Sequence, residues 1–459
     1  MSIFKKTKKA DMLEGPYLKK MVLFALPVLL TNVLQLLYNH ADQIVVGHYN
    51  GTEAFASINS TNSLVHLILN LFMGIAVGVN VVVAHSLGAK NVEKARKIVH
   101  TSLIAAAVIG VVVGGAGVAL SKTFLKWMNS PDDIIGLSSA YLRIYFLGTP
   151  FSLIYNFAAS AMRAKGDSSR PLIFLTVSGV MNVALNLLFV IVFKMSVAGV
   201  AIATVISQAV SAVLSVVSLW KNGGEIKLSL KEMRFDLRSF GEIAKIGLPA
   251  GIQGSVFSIS NVIIQSTINS YGSVVIAGNS AAQNVEGYLN STVSSIYQAE
   301  LAFIGQNYGA KRPDNVKKII KNAALMMVLS MTLLSTVVIL FDDALLAIFN
   351  PDPQAISIGK IRIAVNCGFY VLFGFMDFAV GIMRGLGYGL TPMMIAILGV
   401  CGTRLLWVFL IYPIAPSLRL LYISYPVSWT IAFLGHMTSF LLVRKKTFSR
   451  LLAKSSFDN

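Results

Sequence analysis

Twelve stretches of about twenty or more mostly apolar residues run along this chain, each long enough for an α-helix to cross the ~30 Å hydrocarbon core of a bilayer. They cover approximately 21–46, 54–83, 98–121, 137–160, 171–193, 197–219, 243–270, 276–304, 319–341, 358–382, 392–413 and 421–443. Turn-forming residues punctuate them, as at Asn50-Gly51, Asn129-Ser130-Pro131, Arg170-Pro171, Tyr271-Gly272 and Pro351-Asp352-Pro353. The pattern predicts an all-α integral membrane protein of 12 transmembrane helices. Composition agrees, with only 13% charged residues and a mean hydropathy of +0.70. A water-soluble domain carries roughly 25% charged residues, so that class is excluded. The first run is too long for a signal-peptide core and lacks a cleavage site, which makes it a retained span.

The formal net charge of +18 is unevenly placed. With the N-terminus inside, 30 of the 38 Lys and Arg residues fall in cytoplasmic segments, beginning with Lys5, Lys6, Lys8 and Lys9. Only Lys122, Lys126, Lys194 and Arg419 fall outside, and Arg143, Lys360, Arg362 and Arg404 lie within spans or at their edges. By the positive-inside rule both termini face the cytoplasm of a multi-pass cell-membrane protein. The excess is then an orientation signal, and no nucleic-acid partner is expected. Cys367 and Cys401 lie in apolar runs and read as small hydrophobes. No histidine has metal-ligand spacing, and no nucleotide-binding or hydrolase motif is present, so neither an enzyme nor a self-contained ATP-driven pump is expected.

The halves repeat. Leu26-Pro27 returns as Leu248-Pro249 at an offset of 222, and Gly88-Ala89-Lys90 returns as Gly309-Ala310-Lys311 at 221. Met162-Arg163, Gly166, Pro171 and Asn129 recur at 221 as Met383-Arg384, Gly387, Pro392 and Asn350. Collinear landmarks at nearly one offset indicate duplication. Six spans per copy make the repeat parallel, with a pseudo-two-fold axis along the membrane normal. The expected organisation is an N-terminal six-helix lobe over 1–219, a cytoplasmic tether over 220–242 and a C-terminal six-helix lobe over 243–459.

Charged groups inside a bilayer are costly, so the acids within spans are the first functional candidates: Asp42, Glu286, Glu300 and Asp377. Gln35, Tyr38 and Asn39 precede Asp42 by seven, four and three residues and share its helix face. Asn182 and Asn186 are four apart, as are Thr204 and Gln208. Oxygens converging with one carboxylate could bind Na⁺ or hydrogen-bond a protonated Asp42. Glu286 and Glu300 share a face of the eighth span and could each pair with Arg143, Arg362 or Arg404, structurally or for transport.

The elements Met162-Arg163-Ala164-Lys165-Gly166-Asp167, Gly305-Gln306-Asn307-Tyr308-Gly309-Ala310-Lys311 and Asp42-Gln43-Ile44-Val45-Val46-Gly47 resemble signatures of the multidrug and toxic compound extrusion (MATE) family. The resemblance covers essentially the whole chain. It implies a secondary active antiporter that exports amphipathic, commonly cationic compounds in exchange for H⁺ or Na⁺ by alternating access, as a monomer among membrane lipids and without a cofactor. In relatives of the archaeal and DinF-like type, an ion-coupling site matches Asp42, Asn182, Asn186 and Thr204, with Asn186 standing where such proteins have a second aspartate. Asp42 is then the sole titratable group of the cluster, and Na⁺ there is the only metal expected. The NorM-type pattern fits less well, because the seventh span has no acid between Leu248 and Tyr271 and Asp377 is differently spaced. Gln35, Tyr38 and Asn156 match family positions that line a substrate cavity between lobes, with Asn39, Gln208, Glu286, Glu300, Asp377 and Arg143 as secondary candidates. Pro27 could let the first span bend. The alternative is a lipid-linked saccharide flippase of the same superfamily.

Overall fold

The computed structural model describes residues 10–128 and 130–455. Lys5, Lys6, Lys8, Lys9 and Asn129 lie outside these residues, as do the side chains of Gln43, Ile44, Gly47, Asn50 and Gly51. Every regular element among the described residues is helical. The first, α1, runs Tyr17–Gly88 and contains two segments apolar enough to cross a membrane, Tyr17–His40 and Ile68–Gly88. Its backbone is helical through Asn50-Gly51, where the sequence predicts a turn. A helix-interior glycine costs only ~1 kcal/mol, less than leaving amide groups unbonded away from water.

Further single spans are α2 (Val92–Trp127), α5 (Ser169–Leu187, extended by a π-turn to Val192), α6 (Ser196–Asn222), α7 (Leu237–Asn269) and, after α8 (Ser273–Gly309), α9 (Pro313–Leu340). A short α10 (Asp342–Phe349) leads to α11 (Pro353–Gly368) and α12 (Tyr370–Gly385), which are bent by 49° into one broken span. The eleventh span is α13 (Leu390–Ala396), π-turns and α14 (Thr403–Leu406), and the last is α15 (Leu418–Ser455). Nine segments among the described residues pass a length-and-apolarity test, and the bent pair makes ten. The other two expected spans are also helical. That at 137–160 is divided into α3 (Asp132–Leu147) and α4 (Thr149–Ala164), and α8 carries buried Asn279, Glu286, Glu300 and Asn307.

Duplication is visible in the backbone. Gly148 separates α3 from α4 and Phe369 separates α11 from α12, 221 residues apart. The helix ends are also copies. Lys90 and Lys311 both have φ 55°, and Gly166 and Gly387 both have φ 94°. Each is followed by an amide that reaches back to close the helix: Asn91 to Ser86 O at 2.9 Å, Arg312 to Asn307 O at 3.0 Å, Asp167 to Met162 O at 3.0 Å, and Tyr388 to Met383 O at 2.9 Å. These are Schellman caps, which satisfy carbonyls the helix leaves free.

The chain divides into two compact units, one holding Leu30–Leu248 and the other Asp11–Leu29 with Pro249 onward. In the first, Gly110, Gly114 and Gly117 of α2 leave room for Phe146 and Pro150. A Cβ at Gly117 would lie 2.3 Å from the Phe146 ring. Such close backbone approach is how helices associate without a hydrophobic drive. Residues 220–242, the expected tether, belong to this unit and are docked on it. Ser229 N–H donates to His100 Nε2 at 3.0 Å and Asp236 N–H to Thr101 Oγ1 at 3.2 Å. Lys94 meets Glu242 at 2.7 Å and Lys97 meets Asp236 at 3.1 Å. The hydroxyl and amide of Ser239 and then Lys97 pull the Asp236 carboxyl down to about 2. In the second unit, Met12 is buried and its carbonyl accepts from Asn307 Nδ2 at 2.7 Å, while Arg312 and Asn315 both donate to Leu13 O at 3.0 Å.

Candidate ion and substrate site

Tyr38 and Asp42 lie one turn apart on α1 and meet one face of α5. The Tyr38 ring rests on Gly179, where a Cβ would be 1.8 Å from it. Three and seven residues further along α5 come Asn182 and Asn186, both buried. Asn186 Nδ2 donates to Asp42 Oδ1 and also to Asn182 Oδ1 at 3.2 Å. Asn182 Nδ2 then donates to Thr204 Oγ1 of α6 at 3.4 Å, and Thr204 donates to Val200 O at 2.9 Å. The four residues expected to act together therefore form one chain of hydrogen bonds. Its only carboxylate is Asp42, and all its other members are neutral. Asn186 Oδ1 remains buried without a donor, so the cluster keeps an unused oxygen beside the carboxylate. Apolar packing fixes the surroundings through Val46, Tyr141, Val190, Val197 and Val200, with Tyr141 stacked on Tyr145 at 6.0 Å.

The other expected residues are more scattered. Gln35 and Asn39 are exposed on α1, and Tyr38 is half-buried. Asn156 turns its amide to Ser152 O of its own helix at 2.8 Å. Gln208 is one turn beyond Thr204 and lies over Gly148, where a Cβ would be 2.5 Å from its Oε1. It is not bonded into the Asp42 chain. Arg143 is exposed and has no ion pair among the described residues.

The second unit's acids differ from one another. Of the three expected partners for Glu286, the structure selects Arg362, which grips it with two bonds, Nε to Oε1 at 2.9 Å and Nη2 to Oε2 at 2.7 Å. Asn366 adds a bond to Oε1 at 2.9 Å, and Arg362 also donates to Asn279 Oδ1 at 2.7 Å, itself bonded by Tyr422. This surrounding network was not anticipated, because its members lie on separate helices with no shared spacing. Arg404 has only neutral partners, Asn261 at 2.9 Å and Ser428 at 3.1 Å, and stands over the Tyr425 ring at 4.2 Å. Glu300 is wholly buried and neither of its oxygens is bonded, and Asp377 is half-buried without an ion pair among the described residues. No three His, Cys, Asp or Glu side chains among the described residues come together to hold a metal.

A duplicated set of membrane helices, with a few polar side chains inside each copy, is the organisation of many secondary transporters. The chain belongs to the MATE family: the model described as MatE matches residues 27–188 and again 249–410, two copies displaced by the offset read from the sequence. It is a transporter, not an enzyme. It is 27% identical over 444 residues to the "Probable multidrug resistance protein YoeA" of Bacillus subtilis, covering 95% of this chain and 96% of that one. To the "Multidrug export protein MepA" of Staphylococcus aureus it is 21% identical over 84% of this chain and 85% of that one. Among solved structures, an outward-facing multidrug resistance MATE family transporter superposes with a TM-score of 0.87 at 20% identity, over 98% of this chain and all of the other. A transporter of the wider superfamily from Pyrococcus furiosus gives 0.88 at 21% identity, over 97% and 99%. These likenesses carry the two-lobe, twelve-helix fold.

Proposed function

We propose that the protein is a secondary active multidrug efflux antiporter of the cell membrane that exports amphipathic, commonly cationic compounds in exchange for H⁺ or Na⁺. The observation that carries this reading is the chain from Asp42 through Asn186 and Asn182 to Thr204. A carboxylate in a span held, among the described residues, only by amides and a hydroxyl has no fixed countercharge there. A proton or Na⁺ can therefore supply the missing charge, and the orphaned Asn186 oxygen offers a further ligand or acceptor. Arrival of the ion would compete with the Asn186 bond to Asp42 and loosen α1 from α5. Pro27, inside α1, removes one backbone hydrogen bond and gives that helix a place to bend. Alternating access would follow from this rearrangement, with Tyr38 beside the ion site as a substrate contact. The multidrug names of the relatives agree with this substrate class.

The flippase alternative calls for basic residues to meet a pyrophosphate. Arg362 is taken by Glu286, which leaves only the exposed Arg143 and the buried Arg404 and weighs against it. Efflux of a cationic dye from energised cells tests the proposal, with the Na⁺ and H⁺ gradients collapsed separately. Loss of efflux on collapsing one of them is expected. Efflux that survives the loss of both gradients would contradict antiport.

A further inference from the structure

Glu300 is set apart from Glu286, 14 residues earlier on α8, by having neither oxygen hydrogen-bonded among the described residues. Its carboxyl is pressed against α12 at Gly381, where a Cβ would lie 2.1 Å from Oε2. One turn earlier on the same face of α12 is Asp377, which is only half-buried. Arg384 lies two turns beyond Asp377 and hydrogen-bonds neither acid. It donates to Tyr297 OH at 2.7 Å and to Gln253 Oε1 at 2.8 Å. From α15 the neighbourhood receives His436, wholly buried with both ring nitrogens unbonded. On the other side, α9 packs on α12 at Gly374 through Met327 and Met331.

An ionised carboxylate wholly buried with neither oxygen bonded is a costly state, so the resting form of Glu300 is the neutral acid. A purely structural role would be served equally by an apolar side chain. The adjacent acid supplies what a buried acid needs in order to exchange its proton. We propose that Glu300 is a second proton-binding group of the transporter, loaded and emptied through Asp377. The inference rests on the ion-coupled export reading. In the step, Asp377 takes a proton from water and passes it to a Glu300 oxygen. Only O–H bonds form and break, and Arg384, fixed by Tyr297 and Gln253, is the cation near the charge left when the pair empties.

Infrared difference spectra of the purified transporter, recorded between neutral and alkaline pH, test this through the carboxylic-acid C=O band. The wild type should lose a band that Glu300→Gln lacks and Asp42→Asn retains. Proton release on adding a cationic dye should fall by about half in Glu300→Gln, as for one of two titrating groups. Asp377→Asn should keep the Glu300 band but slow its exchange in heavy water, and this arm decides the matter if Glu300→Gln does not fold. A band and proton release in Glu300→Gln equal to wild type, or exchange in Asp377→Asn as fast as wild type, would overturn the proposal. Should the wild type export no dye, the efflux reading falls, while the band still decides whether Glu300 holds a proton.

Discussion

The two units hold a carboxylate in opposite company. Asp42 in the first has only amides and a hydroxyl along its hydrogen-bond chain. Glu286 in the second is clamped by both arms of Arg362 and by Asn366. Both belong to copies of one ancestral six-helix element, and the helix breaks and caps still match at an offset of 221 residues. Backbone was preserved while polar contents diverged. A carboxylate whose countercharge is built in is already neutralised, whereas one without a countercharge is open to an ion from outside.

Breaking the clamp should give the largest effect. Glu286→Gln leaves Arg362 buried and unpaired, and loss of about 3–5 kcal/mol of stability is expected, read as a lowered unfolding midpoint in detergent. The double change Glu286→Leu with Arg362→Met should recover most of it, because both charges leave together. Asn186→Ala tests the opposite side of the comparison. It removes the donor that competes with the ion for Asp42, so in a proton cycle the H⁺ concentration for half-maximal transport should fall about 10-fold, with folding nearly intact. Thr204→Val ends the chain one link earlier and should cost only ~1 kcal/mol, visible as a small shift in ion affinity.

Much of the first contrast was legible in the sequence. The i, i+4 spacing of Asn182 and Asn186, and of Tyr38 and Asp42, put each pair on one face. Those faces meet in the structure, with Gly179 as the small residue that admits Tyr38. The choice among Arg143, Arg362 and Arg404 for Glu286 could not be read, since partner identity depends on how four helices pack and not on spacing within one. The breaks at Gly148 and Phe369 were hidden for a similar reason: a long apolar run looks the same whether straight or bent. Docking of residues 220–242 escaped because Gly223-Gly224 and mixed charges suggest a loose segment, while His100 and Thr101, which catch it, lie on α2.

The smallest effect concerns that docked segment. The Asp236 carboxyl is ordinarily ionised above about 4, and in the folded protein it is held down to about 2 by Ser239 and Lys97. Its contribution is therefore fully present above the unfolded value and disappears as pH falls from about 4 through about 2. Amide exchange at Ser239 should accelerate over that window, and Asp236→Asn should remove the pH dependence.

The claim that Asp42 couples the ion to export is tested most directly in sealed vesicles reconstituted with wild type or Asp42→Asn, with an H⁺ or Na⁺ gradient imposed in turn. Wild type should move a cationic dye against its gradient with one of the two ions, and Asp42→Asn should bind the dye but not accumulate it under either. Equal gradient-driven accumulation by both proteins would contradict the account.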